Sequence, residues 1–161
     1  MSTKEIIRKT ISSRLQSFEK AYIDESSSKV VERVIQNPVY LASKTLCMYL
    51  SMSKEIQTES LLSTCFGQSK QVLIPKVVGK QPSDMWMLPI QNMDQINSFP
   101  KSKWGIPEPS LAEFSANQDM VNSGYIDLIF VPGVAFSPSC GRVGHGKGYY
   151  GQSKKLTNSH L

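Results

Sequence analysis

The sequence is poor in cysteine, with three in 161 residues, and Cys47, Cys65 and Cys140 form no Cys-x-x-Cys pair. An odd number at wide spacing excludes a disulfide framework and offers no zinc-site pattern. Reduced thiols are expected instead, with Cys47 and Cys65 buried because they sit in apolar runs. Long apolar stretches are lacking too. No window approaches the roughly 18 residues that span a bilayer, and Met1 to Arg14 has no signal-peptide core. A cytoplasmic protein without a membrane segment is the expectation. Nor does charge of one sign dominate, since 18 Lys and Arg stand against 13 Asp and Glu, a formal +5. The basic residues are scattered and do not interleave with aromatics, so nucleic acid is not an expected partner. The mild excess suits a small anion such as a nucleotide.

What is present fits one soluble globular domain, with 40% hydrophobic and 19% charged residues. A chain of this length can bury roughly two thirds of its unfolded surface. Ile7, Ile11, Leu15 and Phe18 recur at helical spacing and predict an amphipathic first helix. A second helix starts near Asp24, carries Val30, Val31, Val34 and Ile35, and ends at Asn37-Pro38. Thr45 to Leu50 reads as a buried strand. Thr58 caps a helix holding Leu61, Leu62, Cys65 and Phe66, which stops at Gly67. Gln71 to Pro75 is a second strand, so strand, helix and strand form a βαβ unit with parallel strands. Met85 to Ile90 adds another strand. Residues 91 to 110 read as a long connection, Leu111 to Asn122 as a helix ending at Gly124, and Ile126 to Val131 as the clearest strand. The class is α/β, a single domain with a central, mostly parallel sheet flanked by helices. Residues 1–150 form that domain, and 151–161 read as a polar tail.

Four glycines, at 141, 144, 146 and 148, punctuate the run Gly141-Arg142-Val143-Gly144-His145-Gly146-Lys147-Gly148-Tyr149-Tyr150. Successive N–H groups in such a loop can form a concave anion site. Arg142 and Lys147 add fixed positive charge, and His145 adds more when protonated. Gly141 to Lys147 fits G-x-x-x-x-G-K, but Gly148 stands where a Walker loop needs the Ser or Thr that binds Mg²⁺. The spacing also fails the G-x-G-x-x-G dinucleotide fingerprint. The run follows a strand and the Pro132-Gly133 break, which puts it near the mouth of the sheet.

This run, with Asp127-Leu128-Ile129-Phe130-Val131-Pro132-Gly133-Val134-Ala135-Phe136 before it, resembles the signature of 5-formyltetrahydrofolate cyclo-ligases. The family run reads Gly, any residue, Arg, Leu, Gly, Arg, Gly, Lys or Gly, Gly, Tyr, Tyr, Asp. Here the start is one residue shorter and His145 stands where Arg is usual. The resemblance covers nearly all of residues 4 to 150. It implies ATP contacts from Lys4, Arg8, Arg142, Val143, Gly144, His145, Gly146, Lys147, Gly148, Tyr149 and Tyr150. It implies substrate contacts from Arg8, Leu50, Glu55, Trp104 and Tyr149, with Tyr49-Leu50-Ser51-Met52 as the folate turn and Lys103 to Pro109 as the Trp loop. Arg142 and Lys147 become the catalytic cations. ATP and 5-formyltetrahydrofolate are the implied small-molecule substrates, and the protein a monomer. The family Asp used for Mg²⁺ is replaced by Gly151, so no metal ligand is expected from this chain although Mg²⁺ is a family requirement. The C-terminal part of the family fold is read as missing, which raises the alternative of an impaired form that binds folate or nucleotide without turnover.

Overall fold

The structure, a computed structural model, describes residues 2–110, 112–114, 118–120 and 126–151. It opens with α1 (Thr3–Gln16), started by a reciprocal cap: Glu5 N–H donates to Ser2 Oγ and Ser2 N–H donates to Glu5 Oε2 at 2.6 Å. The expected stripe is only half-buried, and Phe18 falls beyond the helix end. The second helix, α2 (Lys20–Ile35), begins earlier than Asp24. Asn37-Pro38 does more than end it. Asn37 Oδ1 accepts the Val39 N–H at 2.9 Å and caps a further short helix, α3 (Pro38–Ala42), with proline at its first position.

The sheet is built from β1 (Thr45–Met48), β2 (Gln71–Val77), β3 (Met85–Ile90) and β4 (Leu128–Phe130), in the order β3-β2-β1-β4. β1 pairs in parallel with both β2 and β4, and only β3 runs antiparallel. The βαβ crossover helix is α4 (Glu59–Gly67). Thr58 stands at its cap position, but its hydroxyl makes no capping bond and donates to Tyr49 O at 2.8 Å. Gly67 is the last helical residue rather than the stop, and the left-handed turn falls on Ser69, at φ 56°. The connection 91–110 contains a short helix, α5 (Met93–Ser98), capped by the Asn92 side chain. The helix expected over Leu111 to Asn122 falls mostly outside the described residues, as does the tail beyond Gly151. A small hairpin, β5 (Ala135–Phe136) with β6 (Arg142–Val143), completes the chain's regular structure among the described residues.

Two expected strands are shorter in the structure, for visible reasons. Past Met48 the chain leaves the ladder, and the Tyr49 carbonyl is satisfied by the Thr58 hydroxyl instead. At the other end, Asp127 N–H donates to Thr45 O, while Asp127 Oδ2 accepts the N–H groups of Lys44 and Thr45, each at 2.8 Å. A side chain there replaces the next rung of the ladder.

Alternation along the strands splits the core in two. Leu46, Met48, Val72 and Ile74 face Tyr40, Leu61, Leu62, Cys65 and Ile96 from α3, α4 and α5. Cys47, Leu73 and Met87 face the opposite way, where Ile126 and the half-buried Met120, Tyr149 and Tyr150 cover them. A parallel sheet needs cover on both faces. Here helices supply one cover, and the end of the glycine-rich run contributes to the other. The two core cysteines are buried free thiols.

Candidate functional site

Strand order reverses at β1. The chain leaves β1 for β2 on one side, while β4 lies on the other. Loops at the carboxyl ends of such strands diverge and leave a crevice, which is where ligands bind in open α/β sheets. The turn 49–58 leaves β1 there, and the segment 131–134 leaves β4.

The turn after β1 is held by its own polar atoms. Gln57 Nε2 donates to Met52 O and Glu55 O at 2.9 and 2.7 Å, and Gln57 N–H donates to Ser27 Oγ on α2. Met52 N–H donates to Glu55 Oε2 at 2.9 Å. Glu55 is therefore a largely shielded carboxylate with a fixed aim, its side chain 15% exposed. Tyr49 anchors the same turn through its hydroxyl, which donates to Ile56 O at 3.1 Å.

The glycine-rich run crosses above this turn. Arg142, on β6, donates from a guanidinium nitrogen to Pro132 O at 2.7 Å and lies 5.9 Å from the centre of the Tyr150 ring. Val143 O accepts the Val134 N–H at 2.7 Å. Gly144 O accepts Arg8 Nε at 2.8 Å, which ties α1 to the run. His145 Nε2 lies 3.5 Å from Glu55 Oε1. Gly146 and Gly148 take φ of +96° and +81°, a left-handed conformation that a side chain would strain. Among the described residues, the backbone N–H groups of His145, Gly146, Lys147 and Gly148 donate to no protein acceptor. Lys147 is exposed beside them.

A cavity of about 240 Å³ lies between the turn, the Trp104 loop and the run, and brings Leu50, Glu55, Trp104, His145 and Tyr150 together. Trp104 is 64% exposed, on a loop closed by the Ser102 N–H to Ile106 O bond at 2.8 Å. Two expected substrate contacts lie off this cavity. Tyr149 turns its hydroxyl to Gly79 O at 3.1 Å, on the β2–β3 loop, while Tyr150 lines the cavity. Arg8 reaches the run's backbone rather than the cavity. Lys4 lies exposed one turn before Arg8 on α1. A larger neighbouring cavity of about 450 Å³, lined by Leu15, Phe18, Tyr22, Ile23 and Val134, was not expected from the sequence. It shares Tyr49, Met52, Glu55, Pro132 and His145 with the smaller one. Its one sequence signal is the Phe18–Tyr22 spacing, which becomes a tilted ring pair at 4.8 Å.

Burial, and then the Glu55 charge, push the Tyr49 phenol up to about 12. The Tyr150 phenol is pushed up further, chiefly by burial and then by Cys47 and Glu55, while Arg142 works the other way. Burial likewise pushes the Cys47 thiol up. These groups stay neutral and serve as donors or as walls. Gly151 carries no side chain, and among the described residues no three or more His, Cys, Asp or Glu come together. No helix among the described residues is long and apolar enough to cross a membrane.

A family model described as the 5-formyltetrahydrofolate cyclo-ligase family matches residues 1–160. A probable 5-formyltetrahydrofolate cyclo-ligase of Schizosaccharomyces pombe is 34% identical over 148 residues, covering 91% of this chain and 69% of that one. The 5-formyltetrahydrofolate cyclo-ligase of Mus musculus is 31% identical over 159 residues, covering 99% and 77%. The solution structure of Aquifex aeolicus 5,10-methenyltetrahydrofolate synthetase shares the fold, with TM-score 0.75 at 24% identity over 98% of this chain and 75% of that one. With family model, relatives and fold agreeing across nearly its whole length, this chain belongs to the 5-formyltetrahydrofolate cyclo-ligase family.

Proposed function

We propose that the chain converts 5-formyltetrahydrofolate to 5,10-methenyltetrahydrofolate, with ATP becoming ADP and phosphate. The observation that carries this reading is the row of unpaired N–H groups at 145–148 beside a cavity lined by Leu50, Glu55 and Trp104. Phosphates suit the first, and a flat polar ring system suits the second.

A formamide is a poor electrophile, and its oxygen a poor leaving group. In the proposed reaction the γ-phosphoryl group passes to the formyl oxygen, breaking its bond to the β-phosphate oxygen, which departs with ADP. N10 of the folate then attacks the formyl carbon, the C–O bond breaks, and phosphate leaves carrying the N10 proton as the five-membered ring closes. No protein nucleophile is needed. The protein's part is to hold the two substrates in contact and stabilise charge on the moving phosphoryl group. Arg142, Lys147 and the 142–148 backbone carry that part, with Lys4 and Arg8 on α1 beside them. Leu50 and Trp104 flank the folate ring, and Glu55 accepts from it.

A second reading is binding of folate or nucleotide without turnover, favoured by Gly151, which offers no carboxylate. Incubating the purified chain with 5-formyltetrahydrofolate, ATP and magnesium separates the two. The expected result is methenyltetrahydrofolate absorbance with equal release of ADP. Calorimetric binding of both ligands without ADP would select the second reading.

A further inference from the structure

His145 and Glu55 come from different segments, yet both line the smaller and the larger cavity, so the pair forms the divide between the two. Their side chains meet at 3.5 Å, and they differ in exposure, 54% for His145 against 15% for Glu55. The Met52 N–H holds the other Glu55 oxygen at 2.9 Å and fixes the carboxylate's aim at the imidazole. A shielded carboxylate needs a cation. The groups around it do not supply one. Tyr49 and Tyr150 are buried neutral phenols. The Lys54 ammonium turns away to Phe18 O at 2.6 Å and Gln16 O at 3.4 Å. Arg8 serves Gly144 O, and Arg142 serves Pro132 O. Glu108, on the Trp104 loop, is taken by Lys76 at 2.8 Å. His145 is the group facing Glu55 that can take up a positive charge.

We infer that His145 is a positioning residue whose protonation fastens the glycine-rich run to the Glu55 turn, so that nucleotide affinity rises as pH falls through neutrality. The inference rests on reading 142–148 as the ATP cradle. An imidazolium paired with Glu55 draws the adjoining N–H groups of 146–148 over the cavity. A neutral imidazole has no ionic hold on Glu55, and the run slackens. Phosphates arriving at those N–H groups favour the same imidazolium, so binding draws a proton onto His145. The sign follows. The ionic hold on Glu55 exists only while His145 is protonated, so the extra nucleotide affinity is present at lower pH and is lost as pH rises.

Calorimetry of the full chain with the imido analogue of ATP and magnesium, in two buffers of different ionisation enthalpy, reads both affinity and protons taken up. Between about pH 6 and 8 the native chain should lose roughly fivefold in affinity, the lower end of common couplings, with net proton uptake on binding. His145→Gln should hold the weak value throughout, and His145→Arg the tight one. The nucleotide's own titration is common to all three and cancels. A native profile that His145→Gln leaves unchanged overturns the inference, as does His145→Arg binding no tighter than His145→Gln at the alkaline end. Absence of binding by all three proteins at every pH overturns the ATP reading, and the inference with it, so the two failures look different.

Discussion

Arg8 Nε donates to the carbonyl oxygen of Gly144 across 2.8 Å, joining residues 136 positions apart in the chain. The helix that carries Arg8 has no buried residue, so this bond is a large part of what holds it against the β5–β6 hairpin. Hydrogen bonds from a charged donor contribute about 1.5–3 kcal/mol. Arg8→Ala should therefore weaken ATP binding roughly tenfold or more and speed amide exchange along residues 3–16. Unchanged exchange there would mean that α1 is held by something else.

Lys147 is the exposed cation beside four unpaired N–H groups. If it meets the moving phosphoryl group, Lys147→Ala should lower turnover by about 10²-fold, as for other well-aimed charged donors. The loss should fall on kcat more than on the KM for 5-formyltetrahydrofolate. Steady-state kinetics with each substrate varied reads the split. An unchanged kcat would remove Lys147 from the reaction.

Tyr49 gives a prediction in alkali. Its phenol is pushed up from 10.0 to about 12, chiefly by burial and then by Glu55. A group raised on folding adds stability that is whole below its unfolded value and is lost as pH rises through the folded one. Stability from Tyr49 should thus hold to near pH 10.0 and decay toward about 12. Ultraviolet titration should show a late phenolate step that coincides with unfolding. Tyr49→Phe should flatten that alkaline loss. An early, reversible titration of every tyrosine in the folded protein would contradict the burial.

Trp104 projects from its loop at 64% exposure, with the Lys103 ammonium 4.4 Å from the ring centre, and it also lines the smaller cavity. A flat ligand entering there should cover the indole and change its emission. Trp86, half-buried on β3, supplies the reference signal. Trp104→Phe should abolish the response while keeping an aromatic wall. Trp104→Ala should raise the KM for the folate by about two- to tenfold, the usual range for one aromatic contact. An equal fluorescence response in Trp104→Phe would move the ligand elsewhere.

Much of the fold was legible because it depends on short-range pattern. The βαβ unit follows from the apolar run at Thr45, the Leu61-Leu62-Cys65 face and the run at Gln71, and the structure pairs those strands in parallel. What escaped depends on partners distant in sequence. Strand ends at Leu50 and Ile126 were misjudged because the Thr58 hydroxyl and the Asp127 carboxylate take over rungs of the ladder. The short helix α5 rests on an Asn cap inside the 91–110 stretch that reads as a connection, and α3 rests on an Asn cap at the proline break that ends α2. Within the site, Leu50, Glu55 and Trp104, expected as substrate contacts, line one cavity together with Tyr150, expected as an ATP contact. Tyr149 does not, since its hydroxyl is claimed by Gly79 O on the β2–β3 loop. The larger cavity was invisible because its wall joins α1, α2, the Glu55 turn and β5, which no local pattern relates.

Asp127 fastens β1 and β4 at their beginnings, where one carboxylate oxygen takes two N–H groups. Only three residue pairs separate that fastening from the ends of the strands, where the two loops part. One side chain thus sets the separation from which the Glu55 turn and the segment leading into the glycine-rich run begin to part.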